Sequence, residues 1–132
     1  MLTELNISQF GTPVNYRKRW FQDDYFDLFT WQNAQGDVVV FQLCYDRLGK
    51  ERVIIWDAEQ GFAHHCVDDG ESSPNKNMTP VFVSVAKFSY DEVVTPFIRE
   101  SQHIDETIHR FVTQKLIAYT KCFAKEPEQL SR

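Results

Sequence analysis

The chain has 132 residues, of which 42% are hydrophobic, 25% charged and 14% aromatic, and its net charge is −5. That length and composition support one folded domain with a real hydrophobic core. The acidic balance argues against a nucleic-acid backbone as partner, because phosphate contacts need clustered Lys and Arg, and Arg17-Lys18-Arg19 is too short a run to reverse it.

The first ten residues lack a basic stretch followed by an apolar one, so no secretory signal is expected. No apolar run approaches the roughly 18 residues of a membrane span. Three cysteines, Cys44, Cys66 and Cys122, cannot all pair within one chain, and they read as reduced thiols. The expectation is a cytoplasmic protein with no membrane partner.

Residues 1–16 show no strong periodicity and contain Gly11 and Pro13, which predicts an irregular N-terminal arm. Residues 17–22 read as an edge strand. Alternation then predicts strands over 25–32, 37–46, 51–57 and 62–68. Asn33-Ala34-Gln35-Gly36, Arg47-Leu48-Gly49-Lys50 and Ala58-Glu59-Gln60-Gly61 separate them, each with a glycine where positive φ costs little. Residues 79–85, with Pro80 near the start, read as a further strand. The sheet part is therefore 17–85, an antiparallel meander joined by short loops.

The helical part is expected over 89–123. Ser89-Tyr90-Asp91-Glu92 fits a capping box, and Pro96 should shorten or bend the helix that follows. Ile104, Ile108, Phe111, Val112, Leu116 and Tyr119 form one apolar stripe on a longer helix over 104–123. The polar stretch 124–132 is expected to fray. The fold class is α+β: a curved antiparallel meander of five to six strands with C-terminal helices packed on one face.

Loops of even length place directly opposed residues on a common face. Phe26, Leu28, Val39, Phe41, Leu43, Tyr45, Ile54, Trp56, Ala63 and Val67 then form the apolar face that receives the helices. The opposite face carries Tyr25, Asp27, Phe29, Trp31, Gln42, Cys44, His64 and Cys66. Asp27, Gln42, Ile55 and His64 fall in one row across the strands. Aromatic surface with a few polar groups suits a small-ligand pocket or a protein interface. The bland alternative is a second modest core packed under residues 1–16, its polar groups hydrogen-bonded.

His64-His65-Cys66-Val67-Asp68-Asp69-Gly70-Glu71 is the densest chemistry in the chain. Alternation puts His64, Cys66 and Asp68 on one face, where imidazole and thiolate would suit zinc. No second ligand motif supports that triad, and a hydrogen-bonded His64 beside a hydrophobic Cys66 is the expected reading. Acid–base work by His64 with Asp27 or Asp68 is the catalytic alternative. The acidic turn after it lacks the spacing of a calcium loop. No phosphate-binding glycine loop or nucleophile elbow occurs, so no cofactor is expected.

Phe41-Gln42-Leu43-Cys44-Tyr45-Asp46, Glu51-Arg52 leading to Trp56, and Gly61-Phe62 through His64-His65 to Glu71 resemble a group of small uncharacterised bacterial proteins. The likeness spans most of the chain from Arg17 to the long helix and implies no activity, cofactor or partner. Trp56-Asp57 before His64-His65 is also faintly similar to small toxins of toxin–antitoxin pairs, without the rest of their Arg-Tyr-Asp-Asn element. The functional expectation is a non-catalytic module that binds a small ligand or a protein through the aromatic and polar face. A homodimer through that face fits the same reading. A metal-assisted or His/Asp hydrolase centred on His64 is the alternative.

Overall fold

The computed structural model describes residues 1–66 and 88–130, with side chains described for 1–64 and 88–121. The expected strand over 79–85, Val67 and Asp68 lie outside the described residues, as do the side chains of Cys66 and Cys122.

Among the described residues, six strands follow in chain order: β1 Thr3–Leu5, β2 Arg17–Gln22, β3 Phe26–Gln32, β4 Val38–Tyr45, β5 Arg52–Asp57 and β6 Gly61–Cys66. They form one sheet in the order β1-β2-β3-β4-β5-β6, with every pair antiparallel. A π-helical turn over Tyr90–Val94 leads into α1, Thr95–Glu100, and α2 runs from Glu106 to Leu130. The helices pack on the sheet, so the fold is α+β.

The helix-side face is where burial is complete. Phe26, Leu28, Phe41, Leu43 and Ile54 are fully buried against Val93, Val94, Phe97, Ile108, Val112 and Leu116. From Ile108 on, the expected stripe is the packed face of α2, with Phe111 and Tyr119 at its half-buried margin, while Ile104 packs on the core from the turn before the helix. The helix runs past the expected end at 123, to Leu130.

The N-terminal stretch is a correction to the expected irregular arm. Leu2 enters the core, its N–H bonds the Glu100 carbonyl at 2.8 Å, and Thr3–Leu5 extends the sheet edge. Three residues are too few for alternation to show in sequence. Arg19 then ties three elements together. It makes a two-point pair with Glu4 of β1, each contact 2.8 Å, and reaches Asp105 at the start of α2 at 3.2 Å.

Pro96 acts at its own turn. Ser89 caps the π-helical turn by accepting the Glu92 N–H at 3.2 Å, while the Glu92 side chain turns toward Arg52 at 3.7 Å instead of closing the box. Pro96 has no N–H to offer the carbonyl four residues earlier. That carbonyl belongs to Glu92, and it accepts the Tyr25 hydroxyl at 2.9 Å. A side chain from the sheet thus satisfies the acceptor that proline orphans.

Two register details reassign the faces. Trp31 pairs with Val40 and Gln32 with Val38, leaving Val39 as the extra residue of a bulge. Val38, rather than Val39, therefore enters the core. Asp57 pairs with Gly61, so three residues rather than four separate β5 from β6. A one-residue change in a loop flips the whole strand. Phe62 and His64 turn to the helix side, and Ala63 turns away from it.

Candidate binding face

On the face away from the helices, β2 contributes Lys18, Trp20 and Gln22, and β3 contributes Asp27, Phe29 and Trp31 directly opposite them. Trp20 and Phe29 stack with ring centroids 5.4 Å apart and planes 15° apart. Trp31 follows Phe29 on the same side of β3, centroids 6.4 Å apart. The Lys18 ammonium lies over both, 5.0 Å from Phe29 and 5.3 Å from Trp31. The face is thus a ladder of three rings with one cation drawn to their π clouds.

The segment after β1 runs beside this ladder and is fixed there by one side chain. The Gln9 amide donates to the Lys18 carbonyl at 2.8 Å and accepts the Lys18 N–H at 2.9 Å. It imitates a neighbouring strand for one residue, which satisfies the outward backbone groups of β2. Between that segment and Trp20, Phe29 and Trp31 lies a cleft of about 370 Å³. A second cleft of about 440 Å³ lies beside Trp31, Pro13 and Tyr16, with Val40, Asp57 and Glu59 on its far wall. The alternative of a small core under residues 1–16 is met only in part. Pro13 borders both clefts and Phe10 the first, while the Phe10 and Val14 side chains are each 95% exposed.

Asp27 and Gln42 stand where expected, on this face, though in different rows. Asp27 faces Cys44 across the strands, and Gln42 faces Phe29 and Ile55. Asp27 is committed to structure: it accepts from the Trp20 indole and the Gln22 amide, both at 2.8 Å, and from Arg47 at 3.2 Å. Those bonds fix the tilt of Trp20, so Asp27 positions the ladder. Cys44 is buried, and burial, helped by the charge of Glu51, pushes its thiol up to about 11. A thiol held protonated at neutral pH is neither a nucleophile nor a ready metal ligand.

Two expected members of the face are elsewhere. Tyr25 precedes β3 and turns to the helix side, its ring edge-on to Phe26 at 4.8 Å and its hydroxyl on the Glu92 carbonyl. His64 is 8% exposed in the helix-side core. Its Nε2 lies 2.6 Å from the Tyr45 hydroxyl, and Phe88 and Tyr119 stand edge-on to its ring at 5.1 and 5.6 Å. Burial pushes the Tyr45 phenol well above its ordinary range, against the Arg52 cation whose guanidinium sits 4.9 Å from the ring centre. Tyr45 is therefore a neutral hydrogen-bonding partner for the imidazole. Asp27 and His64 lie on opposite faces of the sheet, so they form no acid–base pair. Cys66 keeps the helix-side register of His64 by pairing with Arg52, but its side chain and Asp68 are outside the described residues. Among the described residues, no three His, Cys, Asp or Glu side chains gather as metal ligands.

An acidic cleft of about 770 Å³ opens at the other end of the sheet, between Asp23, Tyr25, Glu92 and Glu100. Its deepest carboxylates are already engaged. Asp23 accepts the Tyr25 and Phe26 N–H groups at 2.8 Å each, and Glu100 pairs with the Met1 ammonium at 2.8 Å and with Arg99 at 2.7 Å.

No protein-family model, curated protein or solved structure matches the chain. No helix among the described residues is long and apolar enough to cross a membrane. Three residues of the ladder and its rim, Lys18, Trp20 and Pro13, went unnoticed as site candidates. The alternation of Lys18, Trp20 and Gln22 within 17–22 carried the signal for the first two. For Pro13 the sequence offers none, because its place depends on the Gln9–Lys18 clamp.

Proposed function

We propose that this protein is a non-catalytic binding module whose working surface is the ladder of Trp20, Phe29 and Trp31. The observation that carries the reading is the pairing of partly exposed stacked rings with two preformed clefts beside them. Sites of this kind are concave, largely apolar and orientated by a few polar groups. Here those groups are Lys18 on the β2 side of Trp31 and Asp57 and Glu59 on the β5 side. The Gln9 clamp and the Asp27 bonds hold the surface in place before any ligand arrives, which lowers the ordering cost of binding.

The alternative centred on His64 has less support. The imidazole is buried in the helix-side core against the Tyr45 hydroxyl, on the opposite face of the sheet from Asp27.

Backbone chemical-shift mapping with a panel of peptides, oligosaccharides and nucleotides tests the choice. Shifts confined to Lys18, Trp20, Phe29 and Trp31 are expected. Shifts confined to Tyr45 and His64 would transfer the function to the helix-side core.

A further inference from the structure

We infer that the outer face takes an extended, proline-rich segment of a partner protein that carries a basic side chain. This rests on the binding reading above and names its ligand. The first argument is the attitude of the rings. Trp20 and Phe29 sit on adjacent strands, which are about 4.8 Å apart in any sheet. Rings facing each other at 5.4 Å and 15° across that gap stand on edge rather than lie flat. Upright rings make a ridge with slots on both sides, whereas a platform for a sugar needs a ring face turned outward. The two clefts are those slots, with Trp31 as their common wall.

The second argument is what the surface lacks. It is the face of a sheet, and the N–H and C=O groups of β3 and β4 are used in the ladder with their neighbours. A segment laid across it finds ring slots and no backbone partners on β3 or β4. A strand-forming peptide would leave its own amides unpaired there. A polyproline II segment has no internal hydrogen bonds, keeps its backbone solvated and is ordered in advance, and such segments dock in aromatic-lined grooves.

The third argument is charge. Asp57 spends one carboxylate oxygen on the Glu59 and Gln60 N–H groups, and Glu59 is exposed. Among the described residues neither carboxylate belongs to an ion pair. Lys18 stands at the other end of the same cross-strand row, Lys18–Trp31–Val40–Asp57, with β3 and β4 between the two charges. A basic side chain on the ligand is attracted at the Asp57 end and repelled at the Lys18 end, so the charges set the direction of the segment.

The test uses the full chain and three acetylated probes: decaproline, decaproline ending in arginine, and decaproline ending in glutamate. Titration calorimetry and chemical-shift mapping read the result. The arginine probe should bind about three- to fivefold more tightly than decaproline, the scale of one exposed ion pair, and more tightly than the glutamate probe. Asp57→Asn with Glu59→Gln should erase the advantage of the arginine probe over decaproline, and the new amide side chain at 57 would keep an oxygen for the turn. Trp31→Ala should weaken all three probes. Equal affinity of the three probes for the wild type would overturn the proposal. So would binding by xylohexaose or an oligothymidylate alone, although shifts at Trp20 and Trp31 would then leave the binding reading standing. Concentration-dependent self-association through Trp20 and Trp31, with no response to any peptide, would show a second copy of this chain as the occupant and overturn it too. Silence from every probe at these residues would sink both readings together.

Discussion

The two faces of one sheet use aromatic residues in opposite ways. On the helix side Phe26, Phe41 and Phe97 are fully buried, and Tyr45 is 1% exposed. On the outer side Trp20, Phe29 and Trp31 are only partly covered, by their own stacking and by the stem of Lys18. A buried Phe contributes through area removed from water and through close packing. A ladder left partly exposed gives up some of that gain and keeps ring surface available for contact. The difference separates what holds the protein together from what it presents to others.

The largest effect should come from the helix-side core. Leu116 is fully buried at the centre of the α2 stripe, and Leu116→Ala should cost about 2–5 kcal/mol in denaturant melts. A loss below about 0.5 kcal/mol, the scale of ordinary surface changes, would mean that α2 does not close the core. The comparison would then fail at its stronger side.

Tyr45→Phe sharpens the same side by removing one oxygen and little volume. The Tyr45 hydroxyl is 2.6 Å from the His64 ring, in a site enclosed by Phe88 and Tyr119. Deleting it should cost about 1–3 kcal/mol, the usual range when a buried polar partner loses its hydrogen bond. An unchanged midpoint would show that His64 does not rely on the phenol. Binding at the outer face should be unaffected either way.

Much of this division was legible in the sequence, and the misses have local causes. Alternation placed Phe26, Leu28, Phe41, Leu43, Tyr45 and Ile54 on the core face, because an apolar residue every second position is what a half-buried strand requires. The spacing of Ile108, Val112 and Leu116 likewise marked the packed face of α2. The candidate cluster was misplaced by one residue of loop. Gly61, with φ of +86°, is the paired first residue of β6 and not the end of the turn, so His64 points inward. Glycine marks the turn but does not say on which side of the ladder it falls. Tyr25 was misassigned because strand alternation does not extend to a residue ahead of β3. Its direction is set by a carbonyl that Pro96 leaves free, 67 positions further along the chain.

A smaller effect should come from the rim that joins the faces. Arg19→Gln removes the ties from β2 to Glu4 and Asp105 and should cost about 1 kcal/mol at neutral pH, the upper end for exposed pairs. The hydrogen bond from Arg19 is the largest influence on Glu4 and holds its carboxyl below the ordinary 4.5. For Asp105, burial works upward but is outweighed by Arg19 and by the Thr107 and Ile108 N–H groups, leaving it below 3.8. A carboxyl depressed by folding stabilises the native state above its unfolded value, and that help is lost as pH falls through the folded value. The wild type should therefore keep its advantage over Arg19→Gln from pH 7 to about pH 5. The two stabilities should converge as pH falls below 4. Parallel curves across that range would remove Arg19 as the cause.

The smallest effect is expected on the outer face itself. Lys18→Met keeps a long apolar stem against Phe29 and Trp31 but removes the charge above their rings. A cation–π contact at a partly exposed site is worth about 0.5–1 kcal/mol, so the melting midpoint should fall only slightly. The Gln9 clamp engages the backbone of residue 18 and should survive the change. A loss of about 2 kcal/mol or more, on the scale of a core deletion, would show that the ladder is a second core rather than a presented surface. The contrast between the faces would then disappear. A loss within the expected range, together with altered charge preference among bound peptides, would place Lys18 in recognition and not in folding.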